Sequence, residues 1–291
     1  MDAYTEAVVI KVGIAILLAL GYWVTVATGK YSFGHAAFMS IGAYTASILT
    51  LNFELPLEAA MLVGGVTSAV IGAFIGWIAL RLSMLYLAII TFAFAEIVRI
   101  LLDSWDYVGG ASGLFGMTGT TVELVAICIL VVVVYLFFLS RSRKGLSYEA
   151  IREDEQAARA CGLGVTRISV EAFAVSAAIT GVAGALSAHE TLIITPNLFG
   201  APQSLLIILF VVLGGVQYFW GAIVGAVVLT MLPIWFDFLQ DYYQITYGLM
   251  FVLLMILRPQ GIVGRSTDRR INLGSLRQLA TTRRGGGGGD E

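Results

Sequence analysis

Apolar runs long enough to cross a bilayer alternate along the chain with short polar joints. Residues 7–27 form the first run, interrupted only by Lys11 near its start. Others follow at 35–51, 57–80, 84–102, 122–140, 167–190, 203–216, 221–235 and 243–257. A span needs about 20 apolar residues, so the pattern predicts an all-α, polytopic helical bundle of about eight or nine transmembrane segments. The run at 203–216 is short and predicts either a seventh span or a re-entrant segment. The membrane domain is expected over 1–258. Residues 259–291 read as a cytoplasmic, largely disordered polar tail that ends in a run of five glycines.

One stretch breaks the pattern. Residues 141–166 hold Arg141, Arg143, Lys144, Glu149, Arg152, Glu153, Asp154, Glu155 and Arg159. Charges at that density cannot sit in hydrocarbon, so the segment lies in water. It has the outline of a short amphipathic helix. Ser147 is the expected cap, with Glu149 in the first turn. Leu146, Ala150, Ala157 and Cys161 fall near one face, and Gly162 and Gly164 suit the C-terminal stop. A plain connector rarely needs such patterning, and this segment is where another protein would push on the membrane part.

Composition agrees with the periodicity. Of 291 residues, 58% are hydrophobic and 12% charged, against roughly a quarter charged in soluble domains. The charges are segregated. With the 141–166 segment in the cytoplasm, Lys30, Arg81, Arg258 and the tail arginines all fall inside. The outer loops then receive Asp2, Glu6, Glu54, Asp103, Asp106, Asp237 and Asp241, and no Lys or Arg. The frame is a multi-pass plasma (cytoplasmic) membrane protein with its N-terminus outside and its C-terminus inside. The acidic start, MDAYTEAVVIK, lacks the basic residues of a signal peptide, so the first run reads as a retained span. Cys128 and Cys161 suggest no disulfide or metal framework.

No enzyme motif is present. Thr28-Gly29-Lys30 is followed by Tyr31 instead of Ser or Thr, and Val24 stands where a phosphate loop needs its first glycine. Two histidines in separate spans make neither a metal site nor a triad. The reading is no catalytic residue, no metal and no cofactor. Transport work must then draw on a gradient or a partner. Small residues recur at helix-face spacing, at Gly72 and Gly76, at Gly221 and Gly225, and at Ala177, Gly181 and Ala185. They predict tight helix packing, or sliding faces in a protein that changes shape. The tail arginines would meet anionic membrane lipids; no fold for nucleic-acid binding accompanies them.

Gln156-Ala157-Ala158-x-x-x-Gly162 keeps the spacing of the E-A-A-x-x-x-G loop of ABC importer permeases, with Gln156 in place of Glu and Glu155 one residue earlier. The stretch from Ser32 through Gly34, His35 and Gly42 to Tyr44 resembles the signature of branched-chain amino acid permeases of the LivM/LivH type. Tyr86 to Arg99, including Thr91 and Glu96, resembles the LivM branch. So do Gly109-Gly110-x-x-Gly113-Leu114, Val212-Leu213-Gly214-Gly215 with Trp220-Gly221, and Arg258-Pro259-Gln260-Gly261. The resemblance runs from about Gly21 to Gly264. It implies a permease subunit that pairs with a LivH-like second permease. It further implies that cytoplasmic ATPase subunits dock on Glu155, Gln156, Ala157, Ala158 and Gly162, and that an extracytoplasmic binding protein delivers leucine, isoleucine or valine. Urea and short-chain amide permeases share this sequence type. An ion-coupled secondary transporter is the alternative of another class, opposed by the scarcity of intramembrane carboxylates beyond Glu96, Glu171 and Glu190.

Two places qualify for the translocation path. Glu96 and Arg99 share a helical face. They either fix helix orientation as an ion pair or line a path that recognises both charges of a zwitterion. His35 begins a span straight after Gly34. The helix N-terminus there could receive a carboxylate, with Gly34, Gly42 and Tyr44 giving access. The other reading of His35 is an edge histidine bonded to a backbone carbonyl. His189 and Glu190 end the sixth run, as an interfacial polar end or a docking point for a binding protein.

Overall fold

A computed structural model describes residues 3–235 together with Gly248, Val252, Gly261 and Ile262. Apart from Gly248 and Val252, the run expected at 243–257 lies outside these residues, as do Asp237, Asp241, Arg258 and the tail arginines. Among the described residues, six helices are long and apolar enough to cross a membrane. They are α1 (Ala3–Val26), α2 (His35–Phe53), α3 (Leu57–Ala79), α4 (Met84–Ser104), α5 (Val122–Arg141) and α8 (Val165–Thr191). Between α5 and α8 lie two short polar helices, α6 (Arg143–Glu153) and α7 (Glu155–Ala160).

The runs at 203–216 and 221–235 form α9 (Ala201–Gly214) and α10 (Phe219–Trp235), bent by 118° at the break between them. At 1.5 Å per residue α9 is about 21 Å long, short of the ~30 Å hydrocarbon core. The described residues therefore hold six full-length spans and one bent pair, rather than eight separate spans. Gly214 and Gly225 bring the backbones of α9 and α10 together. The break is tied back to α1, where Trp23 Nε1 donates to Val216 O at 2.9 Å.

Helix α8 is the centre of the bundle, packed on α1, α2 and α3. In lipid no hydrophobic force holds helices together, so close van der Waals contact needs small side chains. Along α8 these are Ser176, Ala177, Thr180, Gly181, Gly184 and Ala185, all buried. A Cβ at Gly72 of α3 would stand 2.5 Å from the Ala177 Cβ, and one at Gly76 would meet Phe173 at 3.0 Å. A Cβ at Gly42 of α2 would collide with the Gly181 carbonyl. We expect Gly42→Leu to lower stability by more than the ~1–3 kcal/mol usual for overpacking, because backbone cannot yield as a side chain does. The melting midpoint of the detergent-solubilised protein checks this; an unchanged midpoint would mean that the two helices part freely.

Outside the bundle's far end, a two-stranded antiparallel ribbon joins β1 (Leu114–Phe115) to β2 (Ile193–Ile194), with Leu114 opposite Ile194. It ties the glycine-rich α4–α5 loop to the segment after α8. The outward faces of α3, α4 and α5 stay bare, with Val66, Phe74, Ile97, Ile100, Leu130 and Phe138 exposed. Such faces belong against lipid or another membrane subunit.

Candidate functional site: a polar bracket and a charged pair in the bundle

The polar segment is a two-helix bracket instead of one helix. The chain leaves α5 through Ser142, whose extended backbone breaks the helix and whose Oγ accepts from Gly145 N at 3.2 Å. Ser142, and not Ser147, is therefore the cap; Ser147 Oγ donates to Arg143 O inside α6. Asp154 breaks the bracket in the middle. Its Oδ1 accepts from Gln156 N at 2.8 Å and Ala157 N at 3.0 Å, which starts α7. An N-cap Asp followed by Glu155 in the first turn was the sequence signal for this break. Gly162 ends α7 at φ +82°, a left-handed conformation that glycine adopts without strain.

The bracket has distinct inner and outer faces. Ile151, Ala158 and Val165 pack together on the inside. Gln156, Ala157, Ala160, Cys161 and Gly162 face outward and are exposed. Nothing lies within 4 Å of a Cβ built at Gly162 or Gly164, so this outer face is flat and open. Ala158 is thus the one residue of the motif turned inward. Beside α6 lies a cavity of about 360 Å³ lined by Trp23, Phe137, Arg141, Tyr148, Arg152 and Trp220. Burial pushes the Tyr148 phenol up to about 12, so it stays neutral.

Glu155 does not face outward with its neighbours. Its Oε2 takes Lys30 Nζ at 2.7 Å, and its Oε1 takes Arg159 Nη2 at 2.7 Å. Lys30 sits in the α1–α2 loop with its side chain only 10% exposed. Partial burial raises the Glu155 pKa, but the hydrogen bonds and charges of Lys30 and Arg159 outweigh it and hold the carboxyl below its usual range. The other end of the bracket is fastened by Glu171, which takes Lys144 at 3.0 Å and Arg167 at 3.2 Å. Glu171 is therefore a partly exposed carboxylate held between two cations.

Within the bundle, Glu96 and Arg99 form the expected pair, Arg99 Nε to Glu96 Oε2 at 2.8 Å. Both side chains are under a third exposed. The sequence reading missed their third partner. Arg99 Nη1 donates to Asn197 Oδ1 at 3.2 Å, and Gly200 packs on the Arg99 stem. Asn197 belongs to a 3₁₀ turn, Pro196–Phe199, whose Phe199 ring meets Tyr44 of α2 edge-on at 6.1 Å. Tyr44, Glu96 and Arg99 are thus gathered around one turn. A proline opening a short polar-apolar segment was the only local signal for it.

His35, Gly34 and Gly42 lie elsewhere. His35 is fully buried, edge-on to Tyr22 at 4.7 Å and Phe173 at 6.0 Å. Its Nε2 is 2.7 Å from Ser176 Oγ, and Ser176 donates its only proton to Gly21 O at 2.6 Å. His35 Nε2 must therefore be the donor. The Nε2 partner is a hydroxyl on α8 and the ring is buried, so this histidine offers no open carboxylate site in this conformation. The N-terminus of α2 is covered by α9, with Ala36 N donating to Ser204 Oγ at 3.4 Å. Gly34 packs on the Thr91 backbone and Gly42 on Gly181, so both glycines admit protein backbone. At the other end of α8, His189 bonds Thr50 Oγ1 at 2.9 Å and Ala185 O at 2.8 Å.

Residues 4–257 match the family described as branched-chain amino acid transport system / permease component. The high-affinity branched-chain amino acid transport system permease protein LivM of Salmonella typhimurium is 34% identical, over 86% of this chain and 68% of its own length. LivM of Escherichia coli is 33% identical over the same shares. No solved structure matches the chain. A multi-pass helical membrane chain, matched along almost its whole described length, thus belongs to the branched-chain amino acid transport permease component family.

Proposed function

We propose that this chain is one permease subunit of an importer that carries leucine, isoleucine and valine into the cell. A soluble extracytoplasmic protein delivers the amino acid, a LivH-like permease completes the membrane pore, and cytoplasmic ATPase subunits supply the energy. The chain itself hydrolyses nothing. Its N-terminus faces outward and the bracket faces the cytoplasm, in line with the Lys/Arg asymmetry of its loops.

The observation that carries the proposal is the bracket's outer face. Gln156, Ala157 and Gly162 stand exposed on a capped, doubly anchored pair of helices. A flat, small-residue face held rigidly at the membrane surface accepts a partner at low ordering cost. The charged pair serves the substrate. A zwitterion brings an ammonium and a carboxylate, and Glu96 and Arg99 offer the two complementary ions. Phe199 and Tyr44 offer apolar surface beside them for a branched side chain. A neutral urea or amide would need no such pair, which favours the amino acid. Gly34, His35 and Gly42 hold α2 in place beside this path. Packed helices with two discrete arrangements then convert ATPase movement into alternating access.

The test is leucine uptake into proteoliposomes holding both permeases, the ATPase and the loaded binding protein. Uptake should require ATP and stop with an ATPase that cannot hydrolyse it. Uptake that persists without any ATPase would contradict the proposal and favour ion coupling.

A further inference from the structure

We propose that Lys30 is the positioning residue through which the bracket moves the membrane bundle, with residues 28–34 acting as the lever. The inference rests on the importer reading above and specifies how its energy would reach the substrate path.

Three observations carry it. First, the contact is directional. α7 holds Lys30 through Glu155, and Arg159 holds Glu155 in turn, each at 2.7 Å. Lys30 and Glu155 are 125 residues apart, and the lysine is nearly buried. Parting this pair is costly on the lysine side, because it leaves the nearly buried Lys30 ammonium without its counter-charge. Behind it, Gly29 turns at φ +74° directly against Arg152, where a Cβ would stand 3.1 Å from the Arg152 Cα. Both bracket helices therefore bear on the same short loop.

Second, the loop has a fixed pivot. The chain entering it is held where Gly21 O accepts from Ser176 Oγ. The chain leaving it is held where His35 bonds the same hydroxyl. One buried serine of α8 thus holds the two helices that flank the lever, α1 at Gly21 and α2 at His35, while Lys30 projects from the loop between them.

Third, the lever touches α4. Phe33 N donates to Thr91 Oγ1 at 3.0 Å, and Gly34 packs on the Thr91 backbone. Thr91 lies on the same helix as Glu96, about 7.5 Å along its axis. A pull on Lys30 is therefore passed through a hydrogen bond and a backbone contact to the helix that carries the charged pair. The outer face of α7 binds the partner, and Lys30 transmits the displacement.

The experiment uses the complete reconstituted importer, with wild type, Lys30→Met and the charge exchange K30E/E155K. Co-purification of the ATPase, ATP hydrolysis and leucine moved per ATP are read in parallel. Lys30→Met should keep the ATPase bound and hydrolysing while leucine per ATP falls about fivefold or more, and the charge exchange should restore most of it. Hydrogen exchange gives a readout that needs no substrate. Nucleotide should change protection at 31–37 and 155–165 in wild type, but only at 155–165 in Lys30→Met. An unchanged ratio with unchanged exchange at 31–37 would overturn the proposal. So would loss of the ATPase from the Lys30→Met complex, since Lys30 would then serve docking or folding. If wild type moves no leucine yet exchange at 31–37 still depends on Lys30, the substrate assignment fails and the lever stands.

Discussion

Ala157→Trp and Gly162→Leu should each abolish ATP-driven uptake while leaving the chain inserted and folded. Both positions are exposed, and neither side chain site touches the bundle. At Gly162 the loss has two causes. A side chain fills the flat face, and φ +82° is costly for any residue with a Cβ. At Ala157 only the first applies, because the helix is kept, so Ala157→Trp is the cleaner variant. Filling the centre of an interface with an unaccommodated ring should cost about 2 kcal/mol or more, or roughly 30-fold in ATPase affinity. Co-purification of the ATPase with this chain measures it. Normal assembly and normal uptake in Ala157→Trp would remove the coupling role from this face. Ala158→Trp provides the contrast. It should unfold the bracket itself, since Ala158 packs on Ile151 and Val165.

Glu96→Gln should cut leucine uptake about tenfold at low substrate, equivalent to about 1.4 kcal/mol, with assembly and ATP hydrolysis retained. The substitution keeps shape and removes the charge that would meet the substrate's ammonium. It also leaves the Arg99 guanidinium with neutral amide acceptors, at position 96 and at Asn197, and without its counter-charge. Arg99→Met should act in the same direction through the carboxylate. If either variant instead fails to assemble, the pair orients α4 and does not line the path. Raising leucine concentration separates a binding defect, which it overcomes, from a transport defect, which it does not.

Much of this architecture was legible from periodicity and charge. Six of the apolar runs became full spans, and Gly72, Gly76, Ala177 and Gly181 became close contacts between helices, because in lipid small residues permit that approach. The Glu96–Arg99 pair followed from spacing alone, since residues three apart on a helix are neighbours. The break at Asp154 was readable in principle, as an acidic cap inside a charged run, but a single helix fits the same apolar positions. The direction of Glu155 was not readable. Nothing local tells an outward carboxylate from one turned toward a lysine 125 residues away. The Pro196–Phe199 turn is likewise tertiary, since its meaning lies in reaching both Tyr44 and Arg99. His35 looked open because a glycine precedes it. It is closed because α1, α8 and α9 converge on the start of α2.

Energy would enter at the outer face of α7, and substrate would meet the protein at Tyr44, Glu96 and Arg99. Between them stand the α1–α2 loop and α4.

The native thiol at Cys161 tests the entry point directly. It is exposed on the outer face beside Ala157 and Gly162, whereas Cys128 is half-buried in α5. A membrane-impermeant maleimide should label Cys161 in inside-out vesicles and leave it unlabelled in right-side-out ones. Adding the ATPase should slow that labelling about tenfold or more, in step with its binding. Labelling from the outside, or an unchanged rate in vesicles where the ATPase is bound and driving uptake, would contradict the account.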